Sequence, residues 1–327
     1  MRKVKDGSSN EKTELSAARN EAVQRMHAGV EAMVKGGKSP RARGLEKAAE
    51  GLSWIYEWGW TTSAILGHVT GTARGTALAA RLEQNGWIRR VPIRIVSHFR
   101  IAPTDVLTIT HEGVAELTAL LGELPRTTRT PWIGRVPKTN IIHDLLTQQL
   151  TLEYMGRVVG ASLDQAIIQE HGLVTSYYTP LHPDLDTAEG KRPDAIWMME
   201  DGCQLAIEVE LSPKWDRELD QFVMRHLELQ RRENNPVWAL ATFFTSEQTA
   251  ERYRAAMRLG AQVKPWLWDK TDRKWSPATI TSRDIIDDQF VVYTVVLPSP
   301  RKSTQKVTRE CTDGADKTPP GEWAEMS

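Results

Sequence analysis

The sequence predicts an α/β chain built from two units, and three observations carry that expectation. Residues 44–124 order themselves as helix, helix, helix, a basic β-leaning pair and a closing helix. Residues 141–298 alternate apolar runs of strand length with amphipathic stretches of helix length, the pattern of layered α/β domains. Residues 125–140 between them hold Pro125, Pro131, Pro137 and three arginines and read as a linker. At 327 residues the chain has room for two domains, since one usually takes roughly 100–200. A basic, partly helical extension over residues 1–43 and a polar, disordered tail over residues 299–327 flank them.

Composition narrows the class. Apolar residues make up 40% and charged residues 26%, as in globular proteins in general. No apolar run is long enough to span a membrane, and Met1-Arg2-Lys3-Val4-Lys5-Asp6 opens no secretory signal, so a cytoplasmic location is expected. Cys203 and Cys311 are too few for a disulfide framework. The net charge is zero, yet residues 1–44 carry ten Lys/Arg against five Asp/Glu. Arg89, Arg90, Arg94 and Arg100 crowd one short stretch that holds no acid. Local stripes of this kind matter more for phosphate contact than the overall sum.

In the extension, Leu15, Ala18, Ala22, Met26, Val30 and Met33 recur at helical spacing. Gly36-Gly37-Lys38-Ser39 is no phosphate loop, because Ala32 stands where that motif needs glycine. Leu45 to Trp58 then reads as a helix, Thr62 to His68 as a second, and Thr72 to Asn85 as a third, with Thr72 capping it and Gly86 stopping it. Two β-leaning segments follow, Trp87 to Phe99 and Val106 to Thr110, and a helix from His111 closes the unit. That order is the order of a winged helix-turn-helix domain that binds double-stranded DNA at a specific site. Arg74, Thr76 and Arg81 on the third helix are expected to reach base edges, and Arg89, Arg90 and Arg94 on the wing to meet phosphate. A protein-binding winged helix with solvated arginines is the alternative.

The second unit begins with a helix from Ile141 to about Val158. Ala195 to Met199 and Gln204 to Leu211 are apolar runs joined by the Asp201-Gly202 turn signal, which predicts a hairpin. By the period of two, Leu205, Ile207, Val209 and Leu211 share one face, and Glu208 and Glu210 share the other, about 6.6 Å apart. Acids inside an apolar strand are costly to bury unless a cation meets them. Asp194, Glu208 and Glu210 supply carboxylates for Mg²⁺ or Mn²⁺. Ser212 and Pro213 are expected to open a helix reaching Arg232, with Lys214 in its first turn beside the acids. Such an ion activates water for phosphodiester hydrolysis, and a lysine stabilises the developing charge. The alternative places both glutamates on the solvent face of an edge strand. A strand over Val237 to Phe244, a helix over Ser246 to Leu259, and strands over Gln262 to Trp268 and Phe290 to Leu297 complete the unit.

Pro193-Asp194, then Glu208-Val209-Glu210-Leu211-Ser212 and Lys214, resembles the PD-(D/E)XK nuclease-like domains of the replication-relaxation family. Its relatives include the MobC-type plasmid relaxases, which join a winged helix to a restriction-endonuclease-like fold. The resemblance covers roughly residues 45–298. It implies a catalytic set of Asp194, Glu208, Glu210 and Lys214, with Asp194 and Glu208 holding the metal. Glu210 stands where the common signature has lysine, and Lys214 supplies the amine instead. Glu153 or Glu170 would be the first-helix acid. The activity implied is metal-dependent DNA nicking for plasmid mobilisation, a hydrolase reaction at an origin of transfer or replication. Other mobilisation or replication proteins, and a second copy of the chain, are the further partners implied. The alternative is a non-enzymatic DNA-binding regulator with a degenerate nuclease fold.

No His-x-His pair occurs, which argues against a relaxase that holds its metal through a histidine run. His143 is expected to pack or cap, while His171 and His182 lie nearer the hairpin in sequence. Most of the twelve tryptophans, Trp54, Trp58, Trp60, Trp87, Trp266 and Trp268 among them, are expected in the core. Trp215 is expected to pack, with base stacking as its alternative.

Overall fold

The computed structural model describes residues 39–72, 75–93, 103–127, 140–158, 165–182, 192–231, 237–279 and 285–297. Among these lie eight helices, a mixed five-stranded sheet and two two-stranded sheets. No described helix is long and apolar enough to cross a membrane. The helix expected over residues 15–33, the tail over 299–327, and Arg74, Arg94 and Arg100 lie outside the described residues.

Helix α1 (Pro40–Trp58) starts earlier than its apolar pattern suggests, because Ser39 Oγ accepts from Ala42 N and Pro40 takes the first position, where no amide donor is needed. Helix α2 (Ser63–Val69) is capped by Thr62. Helix α3 (Thr76–Gln84) is not capped by Thr72. Gly75 occupies that place with φ 62°, and a Cβ there would sit 2.1 Å from Ser63 O and 2.5 Å from Gly67 N. Only glycine allows α2 and α3 to approach so closely. Strands β1 (Ile88–Pro92) and β2 (Asp105–Ile109) pair antiparallel, and α4 (His111–Leu121) is capped by Thr110. Ala48, Leu52 and Ile55 of α1 pack with Leu78, Ala79 and Leu82 of α3 and with Ile88, Leu107, Ile109 and Leu117.

The remainder comprises α5 (Ile141–Tyr154), α6 (Gln165–His171), β3 (Val174–Tyr178), β4 (Ala195–Met199), β5 (Gln204–Glu210), α7 (Asp216–Gln230), β6 (Val237–Phe244), α8 (Glu247–Met257), β7 (Trp266–Asp269), β8 (Lys274–Pro277) and β9 (Val291–Val296). The sheet order is β3-β4-β5-β6-β9, antiparallel through β5 and parallel beyond it. Strand β5 is therefore central, not an edge. Leu205, Ile207 and Val209 pack toward α5, and Ala206 packs toward Phe222 and Val223 of α7. The face carrying Glu208 and Glu210 is thus covered by helix. The expected helix start at Pro213 is displaced: Trp215 is the N-cap, and Asp216 and Glu218 stand in the first turn, where the helix dipole favours acids. Trp268, exposed on the β7–β8 hairpin, is not a core residue.

The two expected units share one core. Trp54, Trp58, Trp60, Ile65, Val69 and Val106 cluster with Leu145, Leu150, Tyr154 and the inner face of the sheet. Gln148 of α5 is the polar centre of this junction. Its Oε1 accepts from Trp54 Nε1 and Thr61 Oγ1, both at 2.9 Å, and its Nε2 donates to Trp60 O at 3.1 Å. Gln148→Leu strands three buried polar groups, each worth roughly 1–3 kcal/mol. We expect a large fall in the urea midpoint, with both units still melting in one transition. Two separate transitions would show that the units are independent.

Glu57 of α1 accepts from Tyr177 Oη of β3 at 2.7 Å across the same junction. Burial pushes its carboxyl above the usual range, and the tyrosine bond only partly offsets this. A raised folded value means that the contribution is fully present below the unfolded value and is lost as pH rises through the folded one. Glu57→Gln should therefore be more stable than wild type above neutrality. The difference should vanish below the ordinary glutamate value of about 4.3. A pH-independent difference between the two urea midpoints would contradict this.

Candidate functional site

Pairing brings the start of β4 and the end of β5 to the same end of the sheet, since Ala195 faces Ile207 across the antiparallel ladder. Asp194, buried with 8% exposure, bonds through its main-chain N to Ile207 O. Its Oδ2 accepts from Val209 N at 2.8 Å and lies 2.9 Å from His143 Nε2 on α5. His143 Nδ1 lies 3.2 Å from Asp144 Oδ1. Burial opposes charge on the imidazole, but the bonds and charges of Asp144 and Asp194 outweigh it and raise His143 to about 10. Burial and the nearby Glu208 charge push the Asp194 carboxyl up, while His143 and the Val209 amide pull it back. The His143 ring thus stands between two carboxylates, Asp144 and Asp194.

A cavity of about 590 Å³ opens beside this pair, walled by His143, Arg192, Asp194, Glu210 and Lys214 among others. Glu210 is 6% exposed and forms an ion pair with Lys214, whose Nζ sits 4.9 Å from the Phe222 ring centre. Arg192 Nη1 donates to Pro180 O at 2.8 Å, tying the loop after β3 to the entry of β4. Asp194, Glu210 and Lys214 thus share one cavity, whereas the sequence pattern also expects Glu208 there.

Glu208 is not brought to the cavity. Its position in β5 lies opposite Thr242, inside the sheet, whereas Glu210 lies opposite Phe244, the last residue of β6. Glu208 has 0% exposure, and its Oε1 lies 3.0 Å from Nε2 of His226 on α7, itself buried. His143 and His226 are the residues that sequence reasoning missed, one being assigned to packing and the other unnoticed. Glu153 bonds Gln149, and Glu170 sits beside His171 away from the cavity walls, so neither serves as a first-helix acid there.

The donor set suits a hard divalent ion held by few protein oxygens and several waters, the way Mg²⁺ is usually bound. Asp194 Oδ1 bonds no described residue, and Glu210 offers a second carboxylate on the same wall. A second group, His171, Asp201 and Cys203, lies near the β4–β5 turn, with ligand atoms within 4.8 Å of one another. There His171 Nδ1 already meets Asp201 at 2.7 Å and Nε2 meets Tyr293 Oη at 2.8 Å. Burial, then Asp201 and Glu170, hold the Cys203 thiol up at about 11, the neutral form.

Of the expected DNA contacts, Thr76, Arg81 and Arg89 are exposed. Arg81 Nη2 donates to Gly44 O at 2.6 Å, fastening α3 to α1. Arg90 is less available than its sequence position suggests, because Asp105 holds its Nη1 at 2.7 Å and Glu83 its Nε at 3.4 Å. Trp215 is 56% exposed, with the Arg252 guanidinium 3.1 Å above its ring. Core packing is therefore not its role. Compared with family models, curated proteins and solved structures, the chain matches none.

Proposed function

We propose that this chain is a DNA-binding protein of a mobile element and a metal-dependent DNA nicking enzyme. It would act at an origin of transfer or replication, with the sheet-end cavity as its site. The observation that carries this reading is the convergence of Asp194, Glu210 and Lys214 on one cavity, together with His143 and Arg192. Supporting it is the order of elements, which matches a winged helix-turn-helix unit followed by a PD-(D/E)XK-like unit.

Asp194 and Glu210 would hold Mg²⁺ or Mn²⁺. When bound, the ion activates water and offsets charge on the phosphate oxygens. His143 orients the Asp194 carboxylate, and the Val209 amide fixes its other side. Lys214, leaving Glu210 for the substrate, stabilises negative charge as it builds on the phosphate. Arg192 lies on the same wall and adds positive charge for the DNA backbone.

One observation favours the second reading, a non-enzymatic regulator of plasmid replication or transcription. Both carboxylates already face a cation of the chain, His143 for Asp194 and Lys214 for Glu210.

Arginine variants test the DNA-binding half. Arg89→Ala should weaken binding to all DNA alike and reduce the salt slope by roughly 0.9 for one lost phosphate contact. Arg81→Ala should relax sequence preference, one lost base contact costing ~1–3 kcal/mol. Arg90→Ala should do less to DNA affinity than Arg89→Ala, since Asp105 and Glu83 already engage it. Gel-shift titrations at two salt concentrations measure all three. Unchanged affinity throughout would make the N-terminal unit a protein-binding surface.

A further inference from the structure

Next to the cavity lies a smaller apolar recess of about 220 Å³, walled by Trp58, Trp60, Pro180 and Leu181. Asp144 and Asp194 border both spaces, so the recess and the cavity meet at the same two carboxylates. Pockets for drug-sized ligands measure roughly 300–1,000 Å³, so this recess has room for about one ring system. Its walls are mainly aromatic and apolar, with Thr147 inside and the carboxylates of Asp144 and Asp194 at the border. The neighbouring cavity carries Lys214, Arg192 and His143. One compartment suits a flat ring and the other an anion, and a nucleotide has both, joined by one sugar.

We infer that the recess takes a single unstacked nucleobase bearing an exocyclic amine, from the nucleotide whose phosphate enters the cavity. This rests on the proposed action at DNA and names its substrate: a single-stranded or flipped nucleotide, not an intact stacked pair. A base within a duplex cannot enter a recess while its own phosphate lies beside Asp194, so it must leave the stack, as in enzymes that act on extruded bases. Aromatic walls hold any base by its π-face and give affinity without sequence preference. The preference comes from Asp144. Its Oδ1 is held by His143 Nδ1, and its Oδ2 bonds no described residue. An ionised carboxylate only accepts hydrogen bonds, so it favours the amino groups of cytosine, adenine or guanine over the carbonyl oxygens of thymine.

The test uses the full-length protein and three small probes, dCMP, dTMP and 2-deoxyribose 5-phosphate, followed by calorimetric titration in Mg²⁺ buffer. The expected order is dCMP tightest, dTMP about tenfold weaker, and deoxyribose phosphate weaker still. Leu181→Trp, which fills the recess from a half-buried loop position, should bring dCMP down to the deoxyribose phosphate value and leave the latter unchanged. Asp144→Asn, which gives the border a donor as well as an acceptor, should bring dCMP and dTMP together. Deoxyribose phosphate binding as tightly as dCMP would overturn the inference while leaving phosphate recognition standing. A dCMP preference that survives Leu181→Trp would place the base elsewhere and overturn it too. Binding of none of the three probes would overturn the inference, while the plasmid assay decides the action at DNA separately.

Discussion

Lys214→Ala should lower the rate of strand cleavage by roughly 10²–10³, the usual cost of removing one donor aimed at developing charge. The residue stands in the link between β5 and α7, outside both, so its loss should leave both elements in place. Some stability should go as well, because Glu210 is nearly buried and Lys214 is its ion-pair partner. Lys214→Arg should recover part of the rate by restoring the charge with a different reach. Glu210→Gln separates the roles of the pair. If Glu210 holds the ion, cleavage collapses; if it only parks Lys214, cleavage stays near wild type. Single-turnover conversion of supercoiled plasmid, with folding checked by circular dichroism, reads both. A Lys214→Ala protein that cuts at the wild-type rate would remove Lys214 from the chemistry.

His226→Ala is expected to be the most destabilising single change outside the apolar core, at about 3 kcal/mol. It takes a partner from Glu208, which has no exposure, and breaking a buried pair from one side costs far more than the pair itself contributes. Replacing both residues by leucine should recover much of that loss. Glu208→Gln keeps an oxygen for His226 and drops the charge, so it should fold nearly as well as wild type. If that variant still cuts DNA, the metal-holding acid is Glu210; if it folds and cannot cut, Glu208 reaches the ion after a local rearrangement. Urea midpoints for the three variants decide the first point. A His226→Ala midpoint within error of wild type would contradict the buried-pair argument.

The hairpin was legible because its signals are local. Alternation over Gln204–Glu210 and the Asp201-Gly202 turn need no knowledge of the rest of the chain. That both glutamates share a face followed from the same alternation. Which of them reaches the cavity did not follow, because that depends on where the neighbouring strand β6 ends, at Phe244. Lys214 was placed beside Glu210 correctly but for the wrong local reason. The helix starts at Asp216, whose φ of 37° sets the turn into it, and the Glu210–Lys214 contact closes over the bend at Leu211 and Ser212. Helix α6 and strand β3 are not legible because Gln165–His171 and Val174–Tyr178 mix polar and apolar residues without a clear period. His143 had no signal at all. Its role appears only once α5 packs on the sheet and brings its ring to Asp194, 51 positions further along the chain. The shared core was hidden likewise: the proline-rich stretch suggested independent units, while Trp54, Trp58 and Trp60 bury themselves against α5 and β3.

If the sheet-end cavity cuts DNA through Asp194, one gel shows it. Supercoiled plasmid carrying the DNA that neighbours this gene is incubated with wild type or with Asp194→Asn, in Mg²⁺ or Mn²⁺, with chelator as the control. Asp194→Asn keeps an oxygen for the Val209 amide, so it folds while losing the charge that holds an ion. The expected result is open circle from wild type with either metal, none with chelator, and none from Asp194→Asn, although both proteins shift the same DNA. Wild type that shifts its DNA yet leaves the plasmid supercoiled in both metals would contradict the claim and leave a DNA-binding regulator in its place.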